Sequence, residues 1–375
     1  MEQAPRYRIG QKSLSFVLSW MQPICTKRTP IDATSTILFE ITPRELILKS
    51  TDLEVSLQYS CALAENSARS VQQFLVPGKR IFDLVRELDG DITCIVENNQ
   101  LQVRAGAAHL ALNIKDASEF PPFPERIENL MQCNAAHLGE LFDKVSFVIP
   151  QNNATPSLNG LLVEIGPEML TMTATDGHCL AQVSSTRYTL PQAHKWLLPR
   201  RAIFELKKIL DSIGDQTVFI GICGSQLVFS GDSFNFFTKL LTDQFPPYSA
   251  ALDRTGFAQG TVVKADLIKT LRRSSCLLSG HFISTQFDFD TDHITASMHN
   301  KDVGMLQEEL PLVNFAGARL ATRFYAPYLL QGLSIFSGDQ LNFWLKSSTR
   351  PIIFYGQNQD AAVTYLVMPV SATTT

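Results

Sequence analysis

Asp176-Gly177-His178 sets a carboxylate and an imidazole two residues apart, a combination that acid–base catalysis or a metal ion could use. The same residues have a plainer use, because Asp-Gly between two strand-like runs is turn chemistry. A matching turn earlier in the chain, Asp52-Leu53-Glu54, carries no His, and no second cluster of carboxylates or imidazoles backs the pair. Phosphate-cradling glycine loops and a nucleophile elbow are missing too. An enzyme is therefore the weaker reading; no catalytic residue is assigned and no cofactor is expected. Cys25, Cys61, Cys94, Cys133, Cys179, Cys223 and Cys276 are odd in number and form no Cys-x-x-Cys pair. This predicts reduced structural thiols of a cytoplasmic protein, with no disulfide framework and no metal site.

Basic side chains give the sharper signal. Arg201 and Lys208 lie seven residues apart, opposite an apolar stripe of Ile203, Leu206, Leu210 and Ile213 at helical spacing. Lys79 and Arg86 stand the same way against Ile81, Leu84, Val85 and Leu88, 122 residues earlier. Another step of 122 reaches Arg323, whose seven-residue partner is Leu330, so a half-preserved third copy is expected there. A single pair of this kind is usually a solvated helix face. Repetition at matched positions predicts a positive stripe on a body whose net charge is −4, suited to phosphates read without sequence preference. Arg80 and Arg200 adjoin these pairs. Lys269, Arg272 and Arg273 on a helix of the last third, Lys27 and Arg28 in a loop, and Asn152 in another loop extend the candidate set.

The elements that would hold these residues repeat. Asp52 and Asp176 each follow an alternating strand, and the step between them is 124 residues; a further 124 reaches Asn300 after a weaker third copy. Val76-Pro77 followed by Phe82-Asp83 recurs as Leu198-Pro199 followed by Phe204-Glu205, and Phe120-Pro121-Pro122-Phe123 recurs as Phe245-Pro246-Pro247-Tyr248. Three markers in one order at one period predict three domains, residues 1–124, 125–252 and 253–375, with the Pro-rich segments as linkers. Each unit reads as an opening amphipathic helix, strands, a second helix and closing strands. Tight turns between the strands predict antiparallel sheet, so the class is α+β. No apolar run is long enough for a membrane span, and no leader is read at the start.

Segments along nearly the whole chain resemble the bacterial DNA polymerase III β-subunit family, the DNA sliding clamps. They are Thr51-Asp52-Leu53-Glu54, Val103-Arg104-Ala105-Gly106, Glu119-Phe120-Pro121, Leu158-Asn159-Gly160, Ala174-Thr175-Asp176-Gly177-His178, Pro199-Arg200, Phe245-Pro246 and Val367-Met368-Pro369. The resemblance implies three clamp-fold domains, sheets outside and helices lining a channel, in a head-to-tail homodimer ring around double-stranded DNA. It implies a dimer interface that includes Leu110 on one side and Leu277, Leu278, Glu308 and Glu309 on the other, although a plain core or surface role fits these five equally. It implies a pocket for short peptides of the polymerase III α subunit, the clamp loader and repair proteins. Leu158, Thr175, Gly177, His178, Leu180, Pro246, Tyr328, Leu366, Met368, Pro369 and Val370 match that pocket. Cys179 stands where the family usually has Arg, and Ala250 and Ala251 replace Arg and a larger aliphatic. A clamp-like protein scaffold with weakened DNA binding remains the alternative.

Overall fold

The computed structural model describes residues 6–26, 29–279, 284–300 and 302–370. Lys27 and Arg28 lie outside the described residues. Seven α-helices stand among the described residues: α1 Gln11–Cys25, α2 Gly78–Arg86, α3 Ala135–Asp143, α4 Arg200–Ile213, α5 Ser249–Leu252, α6 Lys264–Ser275 and α7 Ala326–Leu333. Among the described residues all strand pairing is antiparallel, for example Leu38 opposite Lys49 and Leu162 opposite Thr173. Each repeat opens on a short strand before its first helix, Arg6–Gly10, Glu128–Asn134 and Ala258–Val263, and not on the helix itself as the sequence suggested. Five to seven residues give too little alternation to read, yet Tyr7 and Ile9 are both buried.

The chain forms two compact units, residues 1–139 with 204–240, and residues 140–203 with 241–375. In the first unit a nine-stranded sheet runs through both the first and the middle repeat. The strand Val55–Ala62 pairs with Phe234–Lys239, placing Leu57 opposite Phe236. Both side chains are fully buried. A separate five-stranded sheet ends on Ala108–Asn113, an edge strand with mostly exposed side chains. Helices α1 and α2 pack together, with Leu14, Val17, Leu18, Met21, Ile81 and Val85 turned inward. Gly78 opens α2 because a Cβ there would stand 2.8 Å from the Cys25 Sγ.

The second unit repeats the seam. The strand Cys179–Ser185 pairs with Ala362–Val367, joining the rest of the middle repeat to the last one in a twelve-stranded sheet. The long strand Gly304–Phe315 pairs with His293–Asn300 along its first part and with Ala258–Val263 near its end. The residues from Gly304 to Leu310 thus keep one free edge.

The repeated turns follow from side-chain chemistry. Asp52 accepts from the N–H groups of Glu54 and Val55 at 2.9 and 2.8 Å, and Asp176 from those of His178 and Cys179 at 2.8 and 2.6 Å. Gly177 has φ +93°, a left-handed conformation that favours glycine. Asn300 plays the same part for Asp302 at 3.0 Å. The Pro-rich linkers are anchored segments. Phe120 packs on Ala33, Leu38 and Leu75, and Phe245 packs on Leu162 and Leu197.

Five cysteines are buried, Cys223 is half-buried and Cys276 is exposed. Burial pushes the thiols of Cys25, Cys61, Cys94 and Cys179 up to about 12, which removes the reactive thiolate. A thiol-exchange reagent at mildly alkaline pH is expected to titrate Cys276 fast, Cys223 more slowly, and all seven only in guanidinium chloride. A fast second or third thiol in the native protein would contradict the packing described.

Candidate functional site

The basic residues sit on or near the helices that carry the apolar stripes. In α2, Lys79, Arg80 and Arg86 are exposed, while Ile81 and Val85 are buried. Arg86 lies 3.3 Å from Glu87 and 5.9 Å from the Phe82 ring centroid, so its charge is partly answered locally. In α4, Ile203, Leu206 and Leu210 are buried, Arg201 is half-buried and Lys208 is exposed. Lys208 pairs with Glu205 at 2.8 Å, one turn away, and the Nε of Arg200 donates to the Ile149 carbonyl at 3.0 Å. Lys269 and Arg272 are exposed on α6, with Asp266 3.6 Å from Lys269. Arg273 is bound to Glu308 of its own chain. Asn152 is exposed in a loop held by hydrogen bonds between Asn153 and Asn159.

Arg323 does not continue this series. It lies in the strand Leu320–Phe324, before α7 begins at Ala326. Helices α2 and α4 start 122 residues apart, but α4 and α7 start 126 apart, so a constant step misses the third helix by a turn. Matched by helix start, Lys79 and Arg201 correspond to Pro327, and Arg86 and Lys208 to Ser334. The third helix, with sequence APYLLQGL, carries no basic residue at all.

Of the predicted pocket residues, Thr175, Gly177, His178, Tyr328 and Met368 come together in the second unit. The Asp176 turn is braced by Thr175, whose hydroxyl donates to the Cys179 carbonyl at 2.6 Å and accepts from the Gly177 N–H at 3.1 Å. This sets the exposed His178 ring against Tyr328, nearly parallel, with centroids 5.7 Å apart. The His178 carbonyl accepts from the Met368 N–H at 2.9 Å, which ties the turn to the segment Met368-Pro369-Val370. Behind them the Tyr365 hydroxyl donates to the Tyr328 carbonyl at 2.6 Å. Gly177, His178 and Met368 are exposed, and Tyr328, Pro369, Val370 and Pro246 are half-buried.

Leu180 and Leu366 form a floor with Ile353, packed against Tyr248, Ala251, Leu252, Phe257 and Trp344 from the linker and the neighbouring strand. Leu158 and Thr175 are likewise buried. Local sequence could not reveal that a linker helix, α5, packs against two of the matching leucines. Cys179 is buried with Tyr365 beside its thiol, so a neutral group occupies this position.

Next to this pocket a cavity of about 560 Å³ is lined by Gln286, Ala321, Thr322, Arg323, Ser348, Thr349 and the same Met368-Pro369-Val370 segment. Of these, the sequence singles out Arg323, Met368, Pro369 and Val370, but its constant period predicts Arg323 on a helix. The candidate interface residues stand near the free edges. Leu110 is 39% exposed on the edge strand Ala108–Asn113. Glu308 and Glu309 belong to Gly304–Phe315, and Leu277 and Leu278 are half-buried just after α6. Met305 is 72% exposed on the same edge, and a lone Met carries no positional signal in the sequence without its partner strand. Among the described residues, no group of His, Cys, Asp or Glu could hold a metal ion, and no helix is long and apolar enough to cross a membrane.

Three family models match in chain order: the N-terminal domain of the DNA polymerase III beta subunit at residues 6–124, its central domain at 132–247 and its C-terminal domain at 256–371. The beta sliding clamp of Pseudomonas aeruginosa is 27% identical over 369 residues, covering 97% of this chain and 99% of its own. A crystal structure of the Pseudomonas aeruginosa sliding clamp bound to griselimycin superposes with a TM-score of 0.90 at 26% identity, covering 98% of this chain and 100% of the other. The Bacillus subtilis sliding clamp shares the fold at 20% identity, with a TM-score of 0.90 and coverage of 98% and 100%. None of these matches is to an enzymatic family. With all three domain models present in order over almost the full length, this chain belongs to the DNA polymerase III beta-subunit family.

Proposed function

We propose that this chain is a DNA sliding clamp, a non-catalytic tether that closes around duplex DNA and holds polymerases and other factors there through peptides bound at the His178–Tyr328–Met368 pocket. The observation that carries ring closure is the repeated seam. Two seams of one design lie within the chain, Val55–Ala62 with Phe234–Lys239 and Cys179–Ser185 with Ala362–Val367. The two strands that would make a third, Gly304–Phe315 and Ala108–Asn113, are left as open edges. A second copy placed head to tail supplies each missing partner and leaves no edge of this kind exposed. The family domain limits support residues 1–124, 125–252 and 253–375 as the ring's repeating segments.

DNA contact rests on Lys79, Arg80 and Arg86 of α2, Arg200, Arg201 and Lys208 of α4, Lys269 and Arg272 of α6, and Asn152. In a ring these are surfaces for phosphates, with no base-reading geometry required. Arg323 is withdrawn from this set. Retention on a nicked circular plasmid after loading, followed by linearisation, tests the proposal. The clamp should stay on the circle and be lost from free ends. Equal retention on both forms would mean ordinary surface binding, and none on either would favour the scaffold reading. Lys79→Ala with Arg86→Ala, or Arg201→Ala with Lys208→Ala, should weaken retention most at low salt and flatten its salt dependence, with the chain still folded. Unchanged retention in both double variants would remove these pairs from the DNA surface.

A further inference from the structure

The opening helices of the three repeats are copies of one element. Helices α1, α3 and α6 begin at Gln11, Ala135 and Lys264, which are steps of 124 and 129 residues. Along those steps Leu14 and Leu18 correspond to Leu138 and Phe142, and then to Leu267 and Leu271. All six are buried. Two positions are exposed in every copy and are matched by the same steps. Phe16, Glu140 and Lys269 hold the first, and Ser19, Asp143 and Arg272 hold the second. One place on one helix face thus carries an aromatic ring, a carboxylate and an ammonium in turn.

Each opening helix has the second helix of its repeat beside it. Helix α1 packs on α2 and α6 packs on α7, and a Cβ on Gly139 of α3 would stand 3.5 Å from the Asp211 carboxylate of α4. Both helices of a pair turn their apolar stripes inward, so their exposed faces share a side. The cations are divided between the pair. They lie on α2 and α4 in the first two repeats and on α6 in the third, where α7 has none. Only the middle repeat puts an acid at the place that Phe16 and Lys269 occupy in the others. Local contacts leave that acid charged and outward. Lys144, four residues on and well placed to pair with Glu140, donates instead to the Ile335 carbonyl. Among the described residues no cation pairs with Glu140. Asp143 already interacts within the protein, so the argument rests on Glu140.

We propose that Glu140 is a positioning residue for duplex DNA, one that holds phosphates off the opening helix of the middle repeat. The inference rests on the ring reading proposed above. A carboxylate repels a phosphate within a Debye length of about 8–10 Å, whereas Lys269 at the matching place attracts one. DNA contact in the middle repeat then runs through α4 alone. Fewer phosphates are neutralised at once, and a ring that must move along the duplex releases fewer contacts at each step.

The test follows single fluorescent clamps, loaded on linear DNA with blocked ends, as salt is raised from about 50 to about 200 mM. It compares the parent with Glu140→Lys, Glu140→Gln and Glu168→Lys. Glu168 is exposed in the turn between the strands Gly160–Ile165 and Leu170–Thr175, so its variant makes the same change of net charge away from the helices. Glu140→Lys should diffuse more slowly than the parent at low salt and approach it at high salt. The slope of log diffusion coefficient against log salt should steepen by about 0.9 for each lysine that meets a phosphate. Glu140→Gln, which keeps the size of the side chain, should fall between the two, and Glu168→Lys should match the parent. Equal diffusion of Glu140→Lys and parent at low salt overturns the role of Glu140 alone, as does equal slowing by Glu168→Lys. A parent that is not held on the blocked DNA overturns the ring reading and this inference with it.

Discussion

Leu110→Asp is expected to convert the proposed dimer to folded monomers and abolish retention on circular DNA, with the secondary structure of each chain kept. The register explains the size of the effect. Leu110 pairs with Val103 in its hairpin, and Phe236 pairs with Phe229 at the matching place in the middle repeat. Phe236 is fully buried opposite Leu57 across the internal seam. On the other edge Leu57 lies opposite Ser50, and Leu306 lies opposite Met298, which is two steps of 124 from Ser50. Leu110 is thus expected to meet Leu306 of the partner subunit. Burying a leucine there contributes about 1.5–3 kcal/mol. A carboxylate in its place adds a desolvation cost of several kcal/mol more. A closed two-copy ring contains the change twice, so the dimer should dissociate at concentrations where the parent is intact. Sedimentation velocity reads this directly. A variant that stays dimeric at the parent's concentration range would put the third seam elsewhere.

What the sequence revealed, and what it hid, divides by range. The Asp52, Asp176 and Asn300 turns were readable because the side chain that makes each turn sits within it. The stripes of α2 and α4 were readable for the same reason. Pairing between strands nearly two hundred residues apart, such as Val55–Ala62 with Phe234–Lys239, leaves no mark in either segment. That pairing is also why the compact units divide the middle repeat: its two sheet halves hydrogen-bond to different neighbours, and the division falls within α3 and α4. The pocket shows the same split. Thr175, Gly177 and His178 are local, and their turn was foreseen. The burial of Leu180 and Leu366 depends on the linker and was not. Arg323 shows a third kind of failure, because an exact period assumes equal spacing, and four extra residues between α4 and α7 were enough to move a strand residue onto an imagined helix face.

Gly332→Ala should destabilise the chain and weaken peptide binding, while Gly139→Ala, the same chemical change in another helix, should stabilise it. In the open, replacing a helical glycine by alanine gains about 1 kcal/mol. Gly139 is close to that case, since an added Cβ would meet only an Asp211 oxygen at 3.5 Å and the Leu210 Cβ at 4.0 Å. At Gly332 the Cβ would fall 2.1, 2.3 and 2.4 Å from three ring carbons of Tyr365. Tyr365 is fully buried, and its hydroxyl is fixed to the Tyr328 carbonyl, so the ring has no room to swing away. Overpacking of this kind costs about 1–3 kcal/mol or more, enough to exceed the helix gain. The displaced ring would also shift Tyr328, which stacks on His178, so the loss should reach the pocket. Thermal unfolding and peptide anisotropy on the two variants measure both effects. Equal melting shifts for Gly332→Ala and Gly139→Ala would mean that Tyr365 does not pack on α7 as described, and the link from that helix to the pocket would fall.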